Sequence, residues 1–147
     1  MVDVDDRTGS GADPLAIADV VESVLTVEGA GDCEVGVVLL DAAAMRELNR
    51  EHRGIDEPTD VLAFPIDEEP EGLEGVPRLL GDVVVCREVL EAQAAAAGVA
   101  TGAELADLIV HGTLHLLGYD HETDQGEMLA RQDELVAAIA PIPYPAA

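Results

Sequence analysis

The chain has 147 residues, the size of one ordinary domain with a buried core. Nearly half are apolar (48%), yet there is no Trp, one Phe and two Tyr, so the core must be aliphatic. Thirty-one acidic residues against seven arginines, with no lysine, give a formal net charge of −24; a surface of this kind repels polyanions and, taken alone, argues against a nucleic-acid partner. No apolar run reaches the roughly 18–20 residues that cross a bilayer, and MVDVDDRTGSG lacks the basic and apolar regions of a signal peptide, so the chain reads as cytoplasmic with no membrane partner. Cys33 and Cys86 sit in apolar surroundings and read as buried thiols rather than a disulfide or a metal pair.

In chain order, VDV near the N-terminus suits an edge strand. PLAIADVVESVLTVE (14–28) places apolar residues at 17, 20, 21, 24 and 25, the spacing of one helical face. EVGVVLLD is short and β-branched, as buried strands are. Asp41 then suits the N-cap of a helix AAAMRELNREH, with Met45, Leu48 and His52 on one side and Arg46 and Arg50 on another. GIDEPTD is a turn. VLAFPID is a strand that Pro65 confines to an edge or to its own end. EEPEGLEGVP (68–77) reads as an exposed acidic loop, LLGDVVVC as a strand, and REVLEAQAAAAG as a helix closed by Gly98. Thr101 and Glu104 form a capping-box pattern opening a helix through LADLIVHGTLHLLG, ended by Gly118. A last helix runs from about 124 to Pro141, and 141–147 reads as a disordered tail. These elements predict an α+β fold: one domain over 1–140, a mixed β-sheet packed by several helices, with no repeats or internal linker.

Three of the four histidines fall within IVHGTLHLLGYDHE, at His111, His115 and His121. On a helix, positions 111 and 115 lie about 40° apart around the axis and one turn apart along it, so both imidazoles can reach one ion. Beyond Gly118 the chain can turn back and bring His121 from a third direction. Three nitrogen ligands with an open fourth position distinguish a catalytic zinc site from a closed structural one. A single histidine among apolar neighbours reads as an ordinary hydrogen-bonded residue. Three together, on a segment where Ile109, Val110, Leu114, Leu116 and Leu117 are apolar nearly all round, need partners that a shared metal supplies. The spacing is also that of the extended zinc-protease motif HExxHxxGxxH, but position 112 is Gly where that motif has the Glu that acts as general base. The metal scaffold is present without the proteolytic base.

HGTLHLLGYDH resembles the mark of the YbeY family, single-metal bacterial endoribonucleases of ribosomal RNA maturation. LNREHRGIDEPTDVLAFP, LGDVVVC and EMLARQDEL resemble further family segments, so the likeness runs from about residue 35 to 137. It implies His111, His115 and His121 as ligands of one zinc ion, Arg53 as the basic residue near the metal that contacts phosphate, and an α+β fold with a mixed sheet. It also implies single-strand endoribonuclease activity in 16S rRNA 3′-end processing and ribosome quality control. The implied partners are rRNA on the ribosome and a ribosomal protein or GTPase. Ala63 stands where the family usually has Ser.

The chemistry expected is metal-assisted phosphodiester hydrolysis, with Arg53 donating paired hydrogen bonds to phosphate oxygens. The nucleophile is either metal hydroxide or the RNA 2′-hydroxyl. Arg53 read without its neighbours is a solvated surface arginine. Arg46, Arg50 and Arg53 would share one face of a helix continuing to 53, as a cationic strip or as a solvated face paired with Glu47 and Glu51. Asp120 either orients a ligand histidine or caps the next helix. Asp60 and Asp82 read as further polar groups near the sheet end, Asp82 before VVV equally as a turn residue, and His52 reads as exposed rather than as a ligand. Two other functions fit the pattern: a noncatalytic ribosome assembly factor stabilised by metal, and, third, a metallopeptidase.

Overall fold

The computed structural model describes residues 2–66, 78–120 and 122–145. The predicted acidic loop at 68–77, His121, and the last two residues of the predicted tail lie outside the described residues.

The elements follow in the order β1 (Val2–Asp6), α1 (Pro14–Val27), β2 (Glu34–Leu40), α2 (Ala42–Arg53), β3 (Val61–Pro65), β4 (Leu79–Cys86), α3 (Arg87–Ala97), α4 (Thr101–Leu116) and α5 (Glu127–Ala137). The strands form one sheet in the order β1-β2-β4-β3. β1, β2 and β4 are parallel and β3 is antiparallel to β4, which makes the sheet mixed, as expected. α1 supplies the long connection that parallel β1 and β2 require. β3 is an edge strand with Pro65 as its last residue, where the missing N–H costs no ladder bond.

Period-two alternation in β2 sends Val35, Val37 and Leu39 to one face of the sheet, where they join Val83 and Val85 against α1, α4 and α5 in the larger core. Leu105, Ile109, Val110 and Leu114 of α4 are fully buried there; each such side chain contributes roughly 1.5–3 kcal/mol relative to exposure. The opposite face carries a smaller cluster of Leu40, Met45, Leu62, Val84 and Cys86 under α2. α4 is thus the central helix, packed on β3, β4, α1, α3 and α5.

Asp41 caps α2 by accepting from Ala44 N at 2.8 Å, and Gly98 closes α3 in the left-handed conformation, both as the sequence implies. Both cysteines are buried and neither is in a disulfide.

Two expectations are corrected. The capping box at Thr101 and Glu104 does not form: the N-cap is Ala100, without a side-chain cap bond, and Thr101 is already helical. Glu104 is thereby one turn into α4, lining a cavity instead of the helix end. Residues 141–145, expected as disordered tail, pack on the domain. Ile142 is 2% exposed and its N–H donates to Gly102 O, while Pro143 O accepts from Asp13 N. Burial of Ile142 and these two backbone bonds outweigh the local signal of the prolines.

Candidate active site

A cavity of about 780 Å³ opens between α4, the end of α2, β3 and the segment after α4, and Gln132 of α5 reaches it. His111 and His115 both line it from α4, their ring centroids 4.7 Å apart in an edge-on arrangement. The four-residue spacing therefore brings the two imidazoles side by side, as the helical geometry requires. His111 Nδ1 donates to Gln132 Oε1 at 2.8 Å, and His115 Nδ1 donates to the Tyr119 carbonyl at 3.0 Å. Both acceptors are carbonyl-type oxygens that can only accept, so in neutral imidazole the Nδ1 positions carry the protons and the lone pairs lie on Nε2. This donor set fits a divalent cation that favours imidazole nitrogen, because ligand histidines characteristically spend the other ring N–H on a carbonyl or carboxylate. Among the described residues no three His, Cys, Asp or Glu side chains gather into a metal-holding group, and the expected third ligand, His121, lies outside them.

Position 112 decides how closely α4 sits on the sheet. A Cβ built on Gly112 lies 2.6 Å from Val83 Cγ1 and 3.1 Å from Val83 Cγ2, so any side chain here must push the Val83 side chain out of its place. A glutamate here, as in the zinc-protease motif, has no room. The absence of that base is thus tied to the packing of α4 on the sheet.

After α4 the chain turns at Gly118 (φ 100°), and Tyr119 N donates back to Leu114 O. Tyr119, whose carbonyl holds His115, is itself anchored: its hydroxyl donates to Glu28 Oε2 at 3.1 Å, and Arg131 Nε donates to Glu28 Oε1 at 2.6 Å. Burial, then the Glu28 carboxylate, push the phenol pKa up, so Tyr119 remains a donor. Asp120 is exposed; Asp120 Oδ1 accepts from Glu122 N at 3.0 Å, and its carbonyl accepts from Thr123 N and Asp124 N. Its observed bonds shape the connection between α4 and α5.

The rim is acidic, with Asp60, Glu104 and Asp107 lining the cavity. Burial, followed by the charges of Asp107 and Asp60, raises the pKa of Glu104. Asp60 Oδ1 accepts from Val61 N at 2.7 Å and so also shapes the start of β3. Asp82 does not reach this cavity. It lies in a shallow depression on the other side of the sheet with Asp3 and Asp5, folded over Gly36.

α2 does extend to residue 53, but its three arginines have different surroundings. Arg46 is engaged in two 2.9 Å bonds to Asp56, and Arg50 pairs with Glu47 at 3.7 Å. Arg53 is the one of the three that lines the cavity, beside His52, whose ring rests on Phe64 with centroids 4.4 Å apart. The cationic strip is therefore reduced at the cavity to Arg53. Sequence reasoning assigned no role to Gln132 or Asp107. Their signal is tertiary: Gln132 lies 21 residues from His111, on a different helix.

The sequence model of the family described as Endoribonuclease YbeY matches residues 9–140. The chain belongs to the YbeY family. It is 43% identical over 136 residues to "Endoribonuclease YbeY" of Wolinella succinogenes, covering 92% of this chain and 89% of that one. It is 42% identical over 134 residues to the protein of the same name from a Roseiflexus species, covering 86% and 84%. The solution structure of a Thermotoga maritima protein matches with a TM-score of 0.62 at 33% identity, over 92% of this chain and 87% of that one, which bears out the α+β fold. Ala63, where the YbeY resemblance leads one to expect Ser, lines the cavity, so a methyl group stands on that wall.

Proposed function

We propose that this chain is a zinc-dependent single-strand endoribonuclease that acts in the cytoplasm on ribosomal RNA, in 16S rRNA 3′-end processing and ribosome quality control, alongside a ribosomal protein or GTPase. The observation that carries the reading is the pair of imidazoles whose Nδ1–H groups are both engaged by carbonyl oxygens, on the same cavity as Arg53. Membership of a family described as endoribonucleases supports the reaction class.

In this reading His111, His115 and His121 hold the zinc ion, which supplies Lewis acidity and a means of ionising water near neutral pH. Gln132 and Tyr119 engage the Nδ1–H of the two rings and so select one tautomer of the neutral imidazole. Arg53, always charged, donates to the non-bridging oxygens of the scissile phosphate and stabilises the charge that develops there. Gly112 keeps α4 against β4, so the two histidines face the cavity with no side chain between them. The acidic rim opposes non-productive entry of a polyanion, so RNA reaches the cavity at the α2 end, where Arg53 stands. A peptidase role is disfavoured by the lack of space for a base at 112.

Zinc content, far-UV circular dichroism and cleavage of single-stranded RNA should be measured together on the wild type, His115→Ala and Arg53→Ala. The expected outcome is about one zinc in the wild type and in Arg53→Ala, loss of zinc from a folded His115→Ala, and loss of cleavage in both variants. A wild type that takes up no zinc on reconstitution, or His115→Ala that still cleaves, overturns the proposal. Loss of folding in His115→Ala with RNA binding but no cleavage in the wild type favours the metal-stabilised assembly factor instead.

A further inference from the structure

Gln132 is one of four buried polar side chains among the described residues, 8% exposed at the junction of α5 with α4. Its amide nitrogen donates to Asp107 Oδ1 at 2.8 Å, and its amide oxygen faces His111 Nδ1 at 2.8 Å. A carboxylate only accepts, so the amide must present its NH2 to Asp107 and its oxygen to His111. That oxygen in turn only accepts, so the proton of neutral His111 sits on Nδ1 and its lone pair on Nε2. Asp107 and His111 stand four residues apart on α4, while the group bridging them belongs to α5. The relay therefore closes only when α5 is docked.

We propose that Gln132, oriented by Asp107, is a positioning residue that fixes the tautomer and ring orientation of His111, and that through it the docking of α5 sets the metal affinity of the cavity. This rests on the reading of His111 as a zinc ligand. The carboxylate polarises the amide, and the amide oxygen strengthens the donor character of the imidazole. Outer partners of this kind change metal affinity by about 10–100-fold when removed.

The test uses the full chain. Zinc affinity is measured by competition with a chromophoric chelator, the His111 tautomer by 15N chemical shifts of the metal-free protein, and folding by urea denaturation of the same samples. Gln132→Met keeps the length of the side chain without its hydrogen bonds. It is expected to weaken zinc binding about 10–100-fold and to shift the His111 ring nitrogens toward a mixture of tautomers while the chain stays folded. Gln132→Glu sets a carboxylate against Asp107 and should also weaken binding. Combining it with Asp107→Asn restores a donor facing an acceptor, the amide now on α4 and the carboxylate on α5, and should recover most of the affinity. Wild-type affinity and an unchanged tautomer in Gln132→Met overturn the proposal, as does a folded double variant no better than Gln132→Glu alone. If the wild type binds no zinc but Gln132→Met still shifts the tautomer, the positioning role stands and the zinc reading fails.

Discussion

The wall of the cavity built by α4 and α5 and the wall built by the end of α2 hold their polar groups in different ways. On the first, His111 and His115 are half-buried over the larger core, and each Nδ1 bond leads to a group that is itself anchored: Gln132 to Asp107, and Tyr119 to Glu28, which Arg131 holds in turn. On the second, Arg46, His52 and Arg53 are exposed above the smaller cluster under α2. The difference matches the two roles proposed above for these walls, metal ligation and phosphate contact. Lone pairs that must converge on one ion require fixed directions, so they sit where packing and hydrogen bonds over-determine them. A guanidinium that meets a phosphate needs reach and charge, which exposure on the last turn of a helix leaves intact.

The comparison breaks most severely if α4 is lifted off the sheet. Gly112→Glu forces a carboxylate against Val83, and unfolding in urea should show a loss of about 3–5 kcal/mol or no cooperative fold at all, with no peptidase activity gained. On the opposite wall, Arg53→Ala should lower kcat/KM for RNA about 10²–10³-fold while the urea midpoint stays at the wild-type value; a parallel loss of stability would show that the α2 wall is structural after all. Tyr119→Phe removes the bond to Glu28 and should cost about 0.5–1.5 kcal/mol, with the His115 ring less well ordered by NMR.

A smaller effect, of opposite sign, belongs to the rim. The folded-state pKa of Glu104 is raised above its ordinary 4.5 by burial and then by Asp107 and Asp60. A raised carboxyl favours the fold fully only below its unfolded pKa, and that advantage disappears as pH rises through the folded value. Glu104→Gln should therefore make the metal-free chain more stable at pH 7, the gain shrinking to nothing as pH falls below about 4.5; a gain that is independent of pH would refute the electrostatic cause. The smallest effect is expected at Arg46, whose pair with Asp56 is exposed on both sides. Thermal unfolding of Arg46→Ala should be indistinguishable from wild type, and RNA cleavage nearly so.

The sequence by itself determined the parts that depend on local chemistry. Alternation in β2 and the apolar spacing of α1 follow from periods of 2 and 3.6, and Asp41 and Gly98 end their helices through bonds and dihedrals confined to a few neighbours. The juxtaposition of His111 and His115 follows from the same helical period, and the family resemblance was legible in contiguous motifs. The tertiary structure alone decided which groups meet across elements. Asp82 and Asp60 look alike in the sequence, yet one lies on the far side of the sheet and the other on the cavity. Thr101 and Glu104 match a capping box, but the helix begins one residue away and Glu104 faces the rim. Glu28 holds Tyr119 across 91 residues, and Gln132 holds His111 across 21. Such pairs have no sequence period, because they exist only after apolar faces distant in the chain have docked and fixed which polar atoms face each other.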